Sequence, residues 1–343
     1  MTKERRAVFF TGSSVVWGAE LSLLTLAANS DVRVHLVTSN PPLANAWRAS
    51  VGPSVEVVKA RSGRLSRMLG FVGSAARAAW NRETVIVFDF YLLPLFALLR
   101  PIFTLRGGRI VVDVHDAVRT NPRRRPYFFL MRVCDLAICI SEYIADQVDA
   151  VEKAVIYRPV ESAQAGVEPP GTGIVGIVGQ ISPDKGTEFA VRAAAAAGVS
   201  HVVLRGLATE ANQPYLEEVL RTAEHELGAK FTFEGRVPRE QTMSAIDVLA
   251  LTNADEPFGR VAAEAQLAGV VVVGPNEGGI AEIVQDGITG YAYPSGDLAA
   301  FAQALTRAAN APQSVRDRAR AFANHAFDPV LQSRSYMRSA LGI

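Results

Sequence analysis

Short β-branched runs alternate with helical patterns along the first half of the chain. The strand candidates are "AVFF", "VRVHLVTS", "VEVVKA", "TVIVFDF", "RIVVDVHD" and "LAICIS", and helical patterns such as Ala19 to Ala28 and Leu65 to Trp80 lie between them. Near-continuous apolar strands of this kind suit a parallel sheet that is covered on both faces. The alternation therefore predicts a doubly wound α/β domain.

The same alternation restarts after residues 161–173, a segment rich in proline, glycine and small residues. "GIVGIVG", "HVVLRG", "KFTFEG" and "VLALT" are separated by helical patterns at Thr187 to Ala197, Pro214 to Leu227 and Arg239 to Ile246. A length of 343 residues also suits about two domains. We predict a first Rossmann-like domain over residues 1–160, a linker over 161–173 and a second such domain over 174–324. Residues 325–343 are predicted to form a helix that packs back on the first domain.

Composition excludes several classes of protein. Hydrophobic residues make up 49% and the net charge is +1, so the chain has no global attraction for nucleic acid. The two cysteines, Cys134 and Cys139, build neither a disulfide framework nor a zinc site. The basic start "MTKERR" precedes an apolar run too short for a signal peptide, and the long apolar stretch from Phe88 is broken by Pro94 and Arg100. We expect a cytoplasmic protein.

Ligands of open α/β sheets bind beyond the carboxyl ends of the strands, so the loops that follow strands are the candidate sites. In "TGSSVVWGAE", Gly12 and Gly18 stand at a strand-to-helix turn whose N–H groups can face an anion, or the glycines only shape the turn. In "VVDVHDAVR", His115 follows a strand directly and can donate a hydrogen bond to a substrate. A satisfied structural histidine is the commoner alternative.

Two loops of the second half carry stronger signals. "VGQISPDKGTEFA" places Lys185 just before a helix, where the helix dipole disfavours a cation unless an anion binds there. In "NADEPFGRVAAEAQLAG", Glu256 precedes a helix predicted over Phe258 to Ala268, and Glu264 follows Arg260 by one turn. The alternative is a surface Arg260 and Glu264 pair worth about 0.2–0.5 kcal/mol. That alternative leaves the following "GPNEGG" loop unexplained.

The ordered motifs of the second half resemble a known family. Glu256 and Glu264 form an E-x7-E pair in "EPFGRVAAEAQLAGVVVV", which "GGIAEIVQDGITGYAY" follows and "VGQISPDKG" and "FEGRVP" precede. This set resembles the retaining glycosyltransferases of family 4, among the glycosyl transferases group 1, over most of residues 174–310. The first half is similar more loosely, through "WGAE", "VVDVHD" and "AICISEYIADQV". The resemblance implies the GT-B fold, in which two Rossmann-like domains face each other across a cleft.

The resemblance also implies a reaction and its residues. A sugar would move from a nucleotide diphosphate sugar to an acceptor with retention at the anomeric carbon, without a metal and without a cofactor. Glu256 would support positive charge on the donor sugar, Lys185 would neutralise the diphosphate and His115 would contact the sugar from the first domain. The donor-binding positions that it implies are Gly18, Gln180, Arg205, Arg236, Val237, Phe258, Gly259, Arg260 and Glu264.

One departure bears on the diphosphate. The family usually has an arginine five residues before the lysine, and this chain has Gln180 there. We expect either Arg205 or Arg260 to supply the second cation. A non-catalytic sugar-nucleotide or membrane-surface binding protein and a GT-B sugar-nucleotide epimerase remain alternatives. A nicotinamide oxidoreductase is disfavoured, because "GIVGIVG" lacks the G-x-G-x-x-G spacing.

The acceptor is the open question. Basic and apolar residues interleave in two segments of the first domain, at Arg61, Arg64 and Arg67 and again at Arg123, Arg124 and Arg125. Such segments can dock on an anionic membrane and would suit a lipid-linked acceptor, or they are a solvated basic face over an ordinary core. A glycan or natural product is the alternative acceptor.

Overall fold

The computed structural model of the chain describes residues 6–13, 16, 18–59, 64–117, 125–149, 152–161, 169 and 171–343. Two compact units make up the chain: Met1–Pro159 together with Asp328–Ile343, and Val160–Phe327. Much of the predicted linker, residues 162–168 and 170, lies outside the described residues.

The described part of the first unit contains a seven-stranded sheet in the order β3-β2-β1-β4-β5-β6-β7, and each neighbouring pair is parallel. Its strands are β1 (Arg6–Thr11), β2 (Arg33–Thr38), β3 (Val55–Val57), β4 (Thr84–Val87), β5 (Arg109–Val114), β6 (Leu136–Cys139) and β7 (Lys153–Val155). The six strand candidates of the first half all form strands. The strand β7 was not predicted, because it is short and lies at the edge of the sheet.

Helices cover this sheet. They are α1 (Gly18–Ala28), α2 (Pro41–Ser50), α3 (Arg64–Gly70), α4 (Val72–Trp80), α5 (Leu93–Arg106), α6 (Arg125–Met131), α7 (Glu142–Ala145) and, at the end of the chain, α14 (Pro329–Leu341). The single helix predicted from Leu65 to Trp80 is wrong, since α3 and α4 break at Phe71. That ring is fully buried and tilts against Phe10 with 6.3 Å between centroids, so core packing outweighs continuation of the helix.

The last helix contributes to the core of the first unit. Tyr336 of α14 stacks on Phe9 of β1 with ring centroids 6.2 Å apart, and Met337 is fully buried beside them. Trp47 of α2 meets Phe9 edge-on at 6.1 Å. Residues from both ends of the chain therefore stabilise one core.

The described residues of the second unit form a six-stranded parallel sheet in the order β10-β9-β8-β11-β12-β13. The strands are β8 (Ile174–Val178), β9 (His201–Arg205), β10 (Phe231–Gly235), β11 (Val248–Ala250), β12 (Val271–Pro275) and β13 (Tyr291–Tyr293). The helices are α8 (Thr187–Ala196), α9 (Gln213–Leu227), α10 (Arg260–Leu267), α11 (Ile280–Ile283), α12 (Leu298–Ala309) and α13 (Gln313–Ala326). Two Rossmann-like units confirm the predicted α/β fold class.

One predicted helix of this unit is wrong. Between Arg239 and Ile246 only the short turn Arg239–Gln241 is helical. The side chain of Arg205 takes the carbonyl oxygens of Gln241, Thr242 and Ser244 as hydrogen-bond acceptors, and Ala245 adopts a left-handed φ of 57°. A helix over these residues would need the carbonyls of Gln241 and Thr242 for its own hydrogen bonds.

Candidate active site

A pocket of about 150 Å³ opens in the second unit at the carboxyl ends of β8 and β11. This is the edge of a parallel sheet at which α/β proteins bind ligands. The first turns of two helices, α8 and α10, border it. Its polar lining comprises Gln180, Lys185, Thr187, Thr252, Asn253 and Glu256.

The pocket contains an ion pair between Lys185 and Glu256. The Nζ atom of Lys185 lies 2.5 Å from Oε2 of Glu256, and the amide of Asn253 donates to the same oxygen at 2.8 Å. The two charged side chains remain 33% and 24% exposed, so both can be reached by a ligand. The sequence predicted both charges as site residues, and the structure places them in contact although 71 residues separate them.

Backbone contacts hold Lys185 in place. The turn Pro183–Lys185 precedes α8, and the N–H of Lys185 donates to the carbonyl of Ser182 at 3.0 Å. The hydroxyl of Thr252 donates to the carbonyl of Lys185 from the end of β11. Sequence reasoning missed Thr252 and Asn253, because nothing local distinguishes them from other polar loop residues.

The turn that carries Glu256 explains the "GPNEGG" loop. The N–H of Gly279 donates to the carbonyl of Glu256 at 2.8 Å, and a Cβ on Gly279 would lie 2.6 Å from the carbonyl oxygen of Pro257. Only glycine lets the two loops approach so closely. The glycine pair therefore has a structural role, which is to position Glu256.

The helix after Glu256 begins later than predicted. Gly259 has a φ of 95°, a left-handed conformation, so α10 starts at Arg260 and not at Phe258. Phe258 is 5% exposed and its ring packs edge-on against Phe327 at 5.4 Å. Its ring therefore belongs to the core, and only its backbone remains for a ligand.

Glu264 lies one turn into α10 between two arginines. The Nε atom of Arg260 lies 3.1 Å from Oε1 of Glu264, and Arg239 approaches the same oxygen at 3.7 Å. Burial lowers the pKa of Arg260, and Glu264 partly offsets this effect. A carboxylate has about four acceptor positions, so Glu264 retains capacity for hydroxyl donors.

The structure disfavours Arg205 as the second diphosphate cation. Its side chain is 7% exposed, and its Nε donates to Glu234 at 2.8 Å. Its Nη1 donates to the three backbone carbonyls named above, those of residues 241, 242 and 244. These contacts fix the loop after β10, where Arg236 is exposed and Val237 half-buried. Arg260, the other expected substitute, is paired with Glu264. Gln180 is exposed and lines the pocket at the end of β8.

In the first unit, His115 belongs to a buried polar network. Its Nδ1 lies 2.9 Å from Oδ1 of Asp113, and its ring stacks on Phe88 with 4.2 Å between centroids. Asp113 is fully buried and also accepts hydrogen bonds from Arg158 and, at 2.6 Å, from the hydroxyl of Tyr336. Burial alone would lower the pKa of His115, but Asp113 and Asp116 outweigh it and raise that pKa.

This network makes stability depend on pH. A histidine whose pKa is raised by folding stabilises the folded state fully below its unfolded value, which is 6.5, and loses that contribution as the pH rises through the folded pKa. As the pH rises above 6.5, we expect the free energy of unfolding of the native chain to fall relative to that of His115→Gln. Urea unfolding at a series of pH values measures it, and parallel profiles for the two proteins would contradict the expectation.

The glycine loop after β1 donates hydrogen bonds to a carboxylate of the same unit, that of Asp89. Oδ2 of Asp89 accepts hydrogen bonds from the N–H groups of Gly12 at 2.7 Å and Ser13 at 3.1 Å, and from the hydroxyl of Thr11 at 2.7 Å. Burial raises the pKa of Asp89. Gly18 opens α1 and is exposed, so its N–H stands at a helix N-terminus.

Part of the predicted basic segments lies outside the described residues, namely Arg61, Arg123 and Arg124. Arg64 and Arg125 are described only as the first residues of α3 and α6. Arg67 is half-buried on α3. No helix of the described residues is long and apolar enough to cross a membrane. The described residues also contain no group of three or more His, Cys, Asp or Glu side chains that could hold a metal.

The fold defines a two-unit α/β protein with a Rossmann-like parallel sheet in each unit. Residues 161–326 match the family model described as Glycosyl transferases group 1, so the second unit is similar to that family. A curated relative, the D-inositol 3-phosphate glycosyltransferase of Nocardia farcinica, is 33% identical over 162 residues. That match covers 43% of this chain and only 36% of the relative's length.

Solved structures share the fold over the whole chain. Anabaena HepE in complex with UDP and glucose is similar with a TM-score of 0.80 and 23% identity, over 99% of this chain and 100% of that one. Sucrose-phosphate synthase from Thermosynechococcus elongatus is similar with a TM-score of 0.78 and 18% identity, over 98% and 99% of the two chains. Identities this low show the fold alone, which is that of GT-B glycosyltransferases.

Proposed function

We propose that the protein is a retaining, metal-independent glycosyltransferase of family 4 that moves a sugar from a nucleotide diphosphate sugar to an acceptor. The observation that carries the proposal is the Lys185 and Glu256 pair in the pocket at the carboxyl edge of the second sheet. A diphosphate and a sugar that develops positive charge need one cation and one anion side by side. HepE was solved with UDP and glucose, so a UDP-sugar is the first donor to test.

In this proposal the bound donor separates the ion pair and contacts both of its side chains. The diphosphate replaces Glu256 as the partner of Lys185, which stabilises the departing nucleotide as negative charge builds on it. Glu256, released from the lysine, faces the anomeric carbon as positive charge develops there. Asn253 keeps the carboxylate in position through its 2.8 Å hydrogen bond.

The remaining donor contacts follow from the elements around the pocket. Backbone N–H groups at the start of α10, from Phe258 to Arg260, would face the sugar and the diphosphate. Glu264 would bind the ribose hydroxyls, and the loop at Arg236 and Val237 would meet the base. His115 and Gly18 are assigned by family resemblance to the donor sugar and the phosphate.

We assign the acceptor side to the first unit and propose a cytoplasmic protein that works peripherally at an anionic membrane surface on a lipid-linked acceptor. The basic segments around Arg67 and Arg125 motivate this. A glycan or natural product is the alternative. Gln180, in place of a usual arginine, favours one second candidate function, a protein that binds sugar nucleotides without transfer.

A thermal-shift screen against nucleoside diphosphates and their sugars tests the donor assignment. At about 100 times its dissociation constant, a ligand that binds only the folded state adds roughly 2.7 kcal/mol of stability. We expect UDP to stabilise the native chain, and Lys185→Ala to weaken UDP binding by about tenfold or more while uridine binding is unchanged, because a charge-assisted contact is lost.

The matched control is Lys230→Ala, which removes an exposed lysine of the same unit outside the pocket. It should leave the response to UDP unchanged. If no nucleoside diphosphate stabilises the native chain, the donor assignment is wrong. If donors bind but no sugar is released from them with any acceptor, the binding protein is the better description.

A further inference from the structure

Four helices of the first unit carry positive charge and no negative charge. The segments α3, α4, α5 and α6 contain no aspartate or glutamate. Their charged residues are Arg64, Arg67, Arg77, Arg100, Arg106 and Arg125. Helices of the second unit such as α9 instead mix both signs. We call the solvent side of α3 to α6 the acid-free face.

The same helices expose large apolar side chains. Eight of the sixteen exposed large hydrophobic residues described in the chain lie on α3 to α6. On α5, Leu98 is 77%, Ile102 is 38% and Leu105 is 86% exposed. Their spacing of four and three residues puts them on one stripe of that helix. An apolar stripe of this kind on an already folded unit marks an interaction surface.

Aromatic and arginine side chains pair along this face. The guanidinium of Arg106 lies 4.4 Å over the ring of Trp80, which is 64% exposed at the end of α4. Arg132, directly after α6, lies 5.4 Å from the ring of Phe129, which is 72% exposed. Both α4 and α6 pack on α5, so these pairs belong to the helices that neighbour its apolar stripe. Apolar side chains beside cations suit the boundary between lipid headgroups and acyl chains.

The positive charge of the acid-free face indicates what kind of partner binds to it. Arg77 and Arg100 are paired with Glu56 and Asp135, whereas Arg67 and Arg106 have no carboxylate partner among the residues that the structure describes. A second copy docked symmetrically would place arginines against arginines, because an isologous contact pairs the same patch on both subunits. An anionic lipid headgroup supplies the missing negative charge, and the acyl region accepts the leucines.

We propose that the acid-free face docks the protein on an anionic bilayer, with Trp80, Leu98 and Leu105 inserted among the headgroups and Arg67 and Arg106 on lipid phosphates. This inference rests on the membrane association proposed above. It specifies which surface of the first unit contacts the membrane and which helices carry that surface. It extends that surface beyond the basic segments to α4 and α5. Vesicle binding needs neither donor nor catalysis, so it is testable separately from sugar transfer.

Flotation of the full chain with vesicles of phosphatidylglycerol and phosphatidylcholine tests this proposal. We expect binding that salt weakens and that pure phosphatidylcholine does not support. The double substitution Leu98→Ser/Leu105→Ser should reduce partitioning by about tenfold or more, because it removes the apolar insertion. Vesicles should also shift the emission of Trp80 to the blue, and Trp80→Phe should abolish that shift.

The control is Leu207→Ser, which removes a half-exposed leucine from the second unit and should leave flotation unchanged. Native-like tryptophan emission of the double variant without vesicles would show that its first unit folds, because all three tryptophans precede residue 160. No flotation on anionic vesicles at low salt, or undiminished flotation of the double variant, overturns the proposal. A dimer that Leu98→Ser/Leu105→Ser dissociates would identify a second copy as the occupant and also overturn it. If flotation fails while UDP still binds, the donor assignment stands alone.

Discussion

Glu256→Gln is expected to lower the rate of sugar transfer by about 10³-fold, because it removes the negative charge that we propose for stabilising the donor sugar while keeping the shape of the side chain. The substitution also leaves Lys185 without its carboxylate at 2.5 Å, so the lysine becomes more available to a diphosphate. UDP binding should therefore persist or tighten while turnover is lost. Release of nucleoside diphosphate from the donor identified by thermal shift, with and without acceptor, measures the rate.

Asp255→Asn provides the matched control. It changes a neighbouring carboxylate to its amide in the same turn, but at an exposed position outside the pocket lining. Its turnover should remain near that of the native chain. Unchanged turnover in Glu256→Gln would show that this carboxylate does not act on the donor sugar, and equal losses in both variants would point to damage of the turn itself.

Asp113→Asn is expected to destabilise the first unit by about 3–5 kcal/mol, because it leaves the buried guanidinium of Arg158 without a counter-charge. The two side chains are 0% and 4% exposed, so water cannot compensate. Burial alone would raise the pKa of Asp113, but Arg158 and His115 hold it well below its usual value. The stabilisation is therefore present above the ordinary aspartate pKa and is lost as the pH falls through the folded value.

Urea unfolding followed by tryptophan emission measures this loss. The chain has three tryptophans, Trp17, Trp47 and Trp80, and all precede residue 160, so the signal reports on the first unit. The control is Asp135→Asn, which removes a carboxylate paired with Arg100 at 2.7 Å where both side chains are about a third exposed. Solvent screens that pair, and its loss should cost about 1 kcal/mol or less. Equal costs for the two variants would contradict the buried-pair argument.

Tyr336 links this network to the end of the chain. Its hydroxyl donates to Asp113 across 223 residues of sequence, so α14 supports the carboxylate that orients His115. Nδ1 of His115 is held by Asp113, and Nε2 lies 3.9 Å from Oδ2 of Asp116. The proposed role of His115 in the reaction thus depends on a helix at the opposite end of the chain.

Much of the fold was predictable because its signals are local. The alternation of β-branched strands with helical patterns places most of the strands and predicts two parallel sheets, since the side-chain periods of 2.0 and 3.6 are properties of a few neighbouring residues. Lys185, Glu256 and Glu264 were found the same way, through their spacing from glycines and from helix starts. Each charge was predicted as a site residue, but the contact between Lys185 and Glu256 was not.

The tertiary structure decided what each of these residues contacts. Arg205, a candidate diphosphate cation, holds a loop through backbone carbonyls. Gly278 and Gly279, which the sequence left unexplained, support the turn that carries Glu256. The tertiary structure also joined Asp113, Arg158 and Tyr336, whose separations of 45 and 223 residues leave no local trace. The sequence determines local periodicity and the residues available at each strand end, whereas packing of distant elements selects which polar groups meet and which are left for a ligand.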